Sequence, residues 1–145
     1  DLSGNALSGS LPEGLSNVAS AVTVDISGND LDGSIPASFT RLKKLQNLVL
    51  ASNQLSGDIF PILTQLTDLR KLDLGSNQIS GPLPTVLSLA TALSHLNLSG
   101  NIFSGSLPVD YSRLFQLTTL GLSSNILSGS IPEPLIAALT NTPQL

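Results

Sequence analysis

The chain has 145 residues and a formal net charge of −4; only 11% of its residues are charged and 41% are hydrophobic. Six basic residues, none in a run longer than Lys43-Lys44, form no stripe able to neutralise phosphates, which disfavours nucleic acid as a partner. The absence of cysteine removes disulfides, thiolate zinc sites and cysteine nucleophiles together.

From the first residues onward the chain repeats itself. Asparagine recurs at 5, 29, 53, 77, 101 and 125, each step being 24 residues. The segments that follow these asparagines read NALSGSLP, NDLDGSIP, NQLSGDIF, NQISGPLP, NIFSGSLP and NILSGSIP. Those that precede them read VTVDISG, LQNLVLAS, LRKLDLGS, LSHLNLSG and LTTLGLSS from residue 22 on. The unit is close to LxxLxLxxNxLSGxIPxxLxxLxx.

Each part has a physical role. In LxLxx the apolar and polar residues alternate, the mark of a strand with one buried face. Leu48 and Leu50, Leu72 and Leu74, Leu96 and Leu98, and Leu120 and Leu122 are expected to point inward. A strand this short is stable only when copies stack into a parallel sheet over a continuous core. Leu55, Ile59, Leu63, Leu66 and Leu69 line the same core, and the spacing over Leu63–Leu69 predicts a tight helical or 3₁₀ return. The motif asparagines (Asn5, Asn29, Asn53, Asn77, Asn101 and Asn125) sit where the chain leaves the strand. There an amide, with two donors and an acceptor, satisfies turn backbone and ladders onto neighbouring copies. The glycines four places on suit a turn of positive φ. The prolines three places further, at 12, 36, 84, 108 and 132, belong at the start of the return, because they preset φ and donate no hydrogen bond.

This unit resembles the plant-type leucine-rich repeat, which the LSGxIP segment distinguishes from other leucine-rich repeats, and the match runs along essentially the whole chain. The resemblance implies an α/β fold: a right-handed solenoid with a parallel sheet on the concave side, an extra short strand at LSGxI, and 3₁₀, short-helical or irregular segments on the convex side. Residues 1–145 are expected to form one solenoid segment of about six repeats, the first and last incomplete and without end caps. Several places depart from the pattern. Phe60 stands where proline is expected, with Pro61 one place late; Asp32 replaces the usual serine; Val18, Ala21, Ala90 and Ala138 shrink core positions; and Asn141 falls on a leucine position. The simplest expectation is an internal fragment of a longer protein.

Function in such a solenoid lies on the exposed positions between inward leucines. These give five rows: Thr23, Asp25, Ser27; Asn47, Val49, Ala51; Lys71, Asp73, Gly75; His95, Asn97, Ser99; and Thr119, Gly121, Ser123. At about 4.8 Å per strand they cover roughly 20 Å, enough for a short peptide or the edge of a protein. The ligand-binding candidates are Thr23, Asp25, Asn47, Arg70, Lys71, Asp73, His95, Asn97 and Thr119, a mixture of both charge signs and amides. Tyr111 and Phe115 fall on return segments, so these rows hold no large aromatic anchor.

Catalysis is a poor reading. A hydrolytic triad would have to use His95, the only histidine, with Asp73 one strand away. Asp1 and Asp25 are a carboxylate pair only because the family pattern LxLDLSxN places Asp there. No convergent metal ligands and no phosphate-binding loop are evident, so neither metal nor cofactor is expected. Asn97-Leu98-Ser99 is a glycosylation sequon, whereas Asn141-Thr142-Pro143 is not. The resemblance therefore implies a non-enzymatic recognition module from the extracellular domain of a plant receptor-like kinase or receptor-like protein. A kinase domain, if any, lies outside this chain. The expected partners are a peptide or protein ligand and a co-receptor, with no nucleic acid and no membrane contact by this segment, on the extracellular side of the plasma membrane or secreted. The alternatives are a secreted inhibitor of the polygalacturonase-inhibitor type and a structural spacer.

Overall fold

The computed structural model describes residues 1–139; Asn141 and its flanking residues lie outside them. Eleven short strands alternate with the return segments: β1 (Ser8–Ser10), β2 (Thr23–Asp25), β3 (Asp30–Asp32), β4 (Asn47–Val49), β5 (Ser56–Gly57), β6 (Lys71–Asp73), β7 (Gln78–Pro82), β8 (His95–Asn97), β9 (Ile102–Gly105), β10 (Thr119–Gly121) and β11 (Ile126–Leu127). The LxL segments supply the even-numbered strands, which form one parallel sheet in the order β10-β8-β6-β4-β2. The LSGxI segments supply the odd-numbered strands, joined as β11-β9-β7-β5 and β1-β3, with a single bridge from Ser34 to Ser56 between them.

The two sides of the stack differ in register. In the concave sheet Thr23, Asn47, Lys71, His95 and Thr119 are successive Cα partners, one full repeat apart. In the second sheet Ser8 pairs with Asp30, Ser56 with Gln78, Ser80 with Ile102 and Ser104 with Ile126, a step two residues short of the repeat. Each repeat thus slips by about 6–7 Å on one side and not on the other, which twists the stack.

Between the sheets lies a leucine core. Leu48, Leu50, Leu72, Leu74, Leu96 and Leu98 are fully buried, as are Leu55, Ile59, Leu63, Leu66 and Leu69 from the third repeat. Leu120 is buried, while Leu122 is only partly so and Val18 is half exposed. Four returns contain a 3₁₀ turn (Glu13–Asn17, Ala37–Arg41, Thr85–Leu89 and Val109–Arg113), each led by a proline in extended conformation. The displaced Pro61 changes this in the third repeat. Here the return begins one residue early, at Ile59 in the α region, and forms a single α-turn, α1 (Phe60–Leu63), with Pro61 in its first turn where the missing N–H costs nothing. The last return is α2 (Glu133–Ala138), again led by a proline, Pro132.

The asparagines join the rungs. Asn77 Nδ2 donates to the carbonyls of Leu74 and Gly75 in its own turn and to Leu50 in the preceding repeat, at 3.0–3.3 Å. Its Oδ1 accepts the N–H of Leu55, 22 residues earlier, at 2.9 Å. Asn29, Asn53, Asn101 and Asn125 repeat the arrangement. The amide therefore fixes both the turn and the two-residue slip of the second sheet. No buried side-chain nitrogen or oxygen among the described residues lacks a partner.

Candidate recognition surface

The concave strands carry the candidate residues outward between the buried leucines. At the first two rows the polar groups are satisfied within the chain. Asn47 Nδ2 donates to Thr23 Oγ1 at 3.0 Å, and Asp25 Oδ1 accepts both the N–H and the hydroxyl of Ser27, at 3.1 and 2.7 Å. Val49 departs from the expected exposed position: only 7% of its surface is accessible, because its register partners Asp25 and Asp73 wall it in on both sides.

The Asp25 arrangement recurs at Asp1, Asp73 and Asn97. In each a side-chain oxygen accepts the backbone N–H two residues on, from Ser3, Gly75 and Ser99 respectively. This Asx turn holds the strand exit against fraying. It is readable in the sequence as the recurrent D/N-x-S/G at residues 1, 25, 73 and 97.

At Asn97 the local turn becomes a bridge. Asn97 Oδ1 accepts the N–H and hydroxyl of Ser99, at 3.1 and 2.6 Å, while Nδ2 donates to Asp73 Oδ1 at 2.9 Å on the neighbouring strand. Glycines on both sides make room for this amide. A Cβ on Gly75 would stand 2.6 Å from Asn97 Nδ2, and one on Gly121 would stand 2.6 Å from Asn97 Oδ1. The partly buried sequon asparagine thus has its amide wedged between two bare stretches of backbone.

Beyond this bridge the face opens into a hollow of about 360 Å³ lined by Lys71, Asp73, His95, Asn97, Thr119 and Gly121, with Leu72 and Leu96 beneath. Arg70, exposed at the entrance to β6, anchors the adjoining strand through its carbonyl, which accepts the N–H groups of Ser94 and His95 and the hydroxyl of Ser94. The same Ser94 hydroxyl lies 2.9 Å from His95 Nδ1. His95 therefore takes Ser94 and Asp73 takes Asn97, so the two do not form the base–carboxylate pair of a triad. Asp1 and Asp25 are each engaged with a serine. Among the described residues no three histidine or carboxylate groups converge as a metal site.

The repeat geometry now bears on classification. The family model for paired leucine-rich repeats matches residues 43–88, and the single leucine-rich repeat model matches residues 1–18, 20–42, 92–114 and 116–137. The chain belongs to the leucine-rich repeat family. Solved structures similar to this leucine-rich repeat chain are ectodomains of plant receptor kinases. One is the Arabidopsis thaliana receptor kinase GASSHO1/SCHENGEN3 in complex with CASPARIAN STRIP INTEGRITY FACTOR 2, at 31% identity and a TM-score of 0.90 over 97% of this chain and 17% of that one. A second is the plant peptide hormone receptor RGFR1 in complex with RGF2, at 38% identity and a TM-score of 0.92 over 97% of this chain and 22% of that one. A third is the Arabidopsis receptor kinase HAESA in complex with the peptide hormone IDA and the co-receptor SERK1, at 39% identity and 0.85 over 90% of this chain and 22% of that one. The chain thus spans less than a quarter of each of these structures. No curated protein matches it.

Proposed function

We propose that this leucine-rich repeat segment is a noncovalent recognition module from the extracellular part of a plant receptor-like kinase or receptor-like protein, and that its concave sheet binds a peptide or protein ligand. The observation carrying this reading is the change along the sheet. The rows at Thr23 and Asn47 close on themselves, whereas Lys71, His95 and Thr119 line a hollow in which the Lys71 ammonium and the Thr119 hydroxyl make no side-chain hydrogen bond among the described residues and His95 bonds only through Nδ1, to Ser94. The similarity to receptor ectodomains that hold peptide hormones supports the same reading. A co-receptor is the second partner class, as in the HAESA complex.

The test is to pan a displayed random peptide library against the wild-type chain and against the Lys71→Ala, His95→Ala, Thr119→Ala triple variant. Peptides recovered by the wild type and lost with the variant are expected. Equal recovery by both proteins would place binding away from the hollow, and none by either would leave the segment as a spacer. Asn97 adds a second proposal: a glycan on its Nδ2 and a ligand in the hollow exclude one another. After expression in a secretory host, mass spectrometry of the ligand-bound fraction should find Asn97 unmodified. Equal glycan occupancy in bound and free fractions would refute the exclusion.

A further inference from the structure

Asn97 is the only residue of the chain in an Asn-x-Ser/Thr acceptor sequence. The ladder asparagines are not acceptors, because the residue two places after each of them is apolar. Asn97 stands where the rows at 25 and 73 carry aspartate, so it is the one residue of these Asx turns with amide protons to give. In the folded chain the two groups that define the acceptor are bonded to each other. The Ser99 hydroxyl and N–H donate to Asn97 Oδ1 at 2.6 and 3.1 Å. Nδ2, the atom that would carry a glycan, donates to Asp73 Oδ1 at 2.9 Å and lies against the bare backbone of Gly75. The main chain is held on both sides, since β8 lies between β6 and β10. The carbonyls of Asn97 and Ser99 accept the N–H groups of Leu74 and Ser76 at 2.9 and 2.8 Å. The N–H groups of Leu98 and Gly100 donate to Gly121 and Ser123 at 2.8 and 2.9 Å.

We propose that Asn97 is a folding-gated glycan acceptor. It is open to N-glycosylation in the unfolded chain and is withdrawn when β8 pairs with β6 and β10, so the glycan and the Asp73–Asn97 bridge are alternatives. This holds whether or not the hollow binds a ligand. In the transfer, Nδ2 forms a bond to the anomeric carbon of a lipid diphosphate-linked oligosaccharide. The bond from that carbon to the diphosphate oxygen breaks, the lipid diphosphate leaves with the electron pair, and Nδ2 gives up one of its two protons. A transferase has to bring this bulky donor to Nδ2 while the Ser99 hydroxyl is free to be read. In the fold that hydroxyl faces the amide oxygen and Nδ2 faces Asp73. Freeing the stretch means parting β8 from both neighbours, and a central strand opens far more rarely than a loop or a terminus. The reverse order is closed as well. A Cβ on Gly75 would already stand 2.6 Å from Nδ2, so a sugar ring bonded to that nitrogen must turn the amide away from Asp73. A chain modified before it folds therefore completes the solenoid without the bridge.

The test combines a purified oligosaccharyltransferase and a lipid-linked oligosaccharide with the unmodified folded chain, two variants of it, and a synthetic peptide of residues 92–104. The peptide should be modified at Asn97, and the folded chain at least about tenfold more slowly. Leu72 is fully buried in β6 and lies outside the acceptor sequence, so Leu72→Ala and the milder Leu72→Val loosen the pairing without altering the acceptor. Both should be modified faster than the wild type, Leu72→Ala the more so. A folded wild type modified as fast as the peptide, or variants modified no faster than the wild type, would overturn the gate. A peptide that is not modified would overturn the acceptor itself. Glycosylated Leu72→Val should then melt at a lower temperature than its unmodified form, because it lacks the bridge. An equal or higher melting temperature would mean that the amide keeps Asp73 with the glycan in place, and would overturn the exclusion.

Discussion

Two asparagines four residues apart, Asn97 and Asn101, show how differently the two sides of one rung are built. Asn101 is buried and bonds only to backbone, reaching the Ile79 N–H and the carbonyls of Leu74, Leu98 and Ser99. Its partners are present whatever the neighbouring side chains are, so the same solution recurs at every rung from Asn29 to Asn125. Asn97 bonds to the side chains of Asp73 and Ser99 and needs glycine on both flanks. Its arrangement occurs once. The ladder is indifferent to sequence elsewhere, whereas the concave face is written in side chains and differs from row to row.

The largest way to break this comparison is on the ladder side. Asn77→Ala leaves the buried Leu55 N–H without its acceptor and takes one of two donors from the carbonyls of Leu50, Leu74 and Gly75, which keep Asn53 Nδ2, Asn101 Nδ2 and the Ser52 N–H. The expected loss is about 3 kcal/mol or more, read as a fall in the denaturant midpoint. Asn53→Ala should match it. Asn5→Ala should cost under about 1 kcal/mol, since Asn5 is exposed and bonds only to the nearby carbonyls of Leu2 and Ser3. Similar losses at Asn5 and Asn77 would mean that the cross-repeat bonds contribute little.

On the concave side Gly75→Ala is the sharper probe. Gly75 lacks a positive φ, so the substitution strains no backbone; the new Cβ instead meets the flexible end of Asn97. The amide must move and release Asp73. The expected cost is about 1–2 kcal/mol of stability together with altered binding in the hollow. Unchanged binding would detach the Asn97 bridge from recognition.

The sheet, the ladder and the proline-led returns were legible because the repeat prints each of them six times or nearly so, and backbone-directed bonds depend only on that spacing. What was not legible depends on pairs in different repeats. Nothing in HLNLSGN states that Asn97 will reach Asp73, because that bond exists only once the strands are in register. The burial of Val49 has the same origin, in the lengths of its two neighbours Asp25 and Asp73. The two-residue slip of the second sheet was hidden because a strict period of 24 suggests an unsheared stack.

Core substitutions should follow the ladder pattern, with one measurable exception in alkali. Tyr111, the only tyrosine, is fully buried, and its hydroxyl donates to the Pro84 carbonyl at a long 3.4 Å. Burial disfavours the phenolate and raises its pKa far above the ordinary 10.0. The folded state therefore holds this proton more tightly than the unfolded one. Its contribution is complete below pH 10.0 and is lost as pH rises beyond it, so the melting temperature should fall there. Tyr111→Phe should cost about 1 kcal/mol at neutral pH and abolish that part of the alkaline decline. An absorbance titration of the folded protein that ionises its one phenol near the ordinary value would contradict the burial argument.

The smallest effect tests how strictly the ladder side is uniform. The residue before each ladder asparagine is left-handed in every repeat: Gly4, Gly28 and Gly100 have φ of 63–66°, and Ser52, Ser76 and Ser124 have φ of 54–56°. Glycine enters this region freely, whereas serine carries a steric penalty of about 1 kcal/mol or more. The Ser76 hydroxyl makes no hydrogen bond within the described residues that would offset it. Ser76→Gly should therefore stabilise the protein by a few tenths to about 1 kcal/mol, the strain relieved being partly cancelled by the greater freedom of glycine in the unfolded chain. The reverse change, Gly100→Ser, should lose more than the forward change gains, because its Cβ would stand 3.3 Å from the Ser76 Cα and backbone nitrogen. Should Ser76→Gly destabilise instead, the serine at this turn must do something that its strained φ conceals, and the three serine rungs would form a class apart from the three glycine rungs.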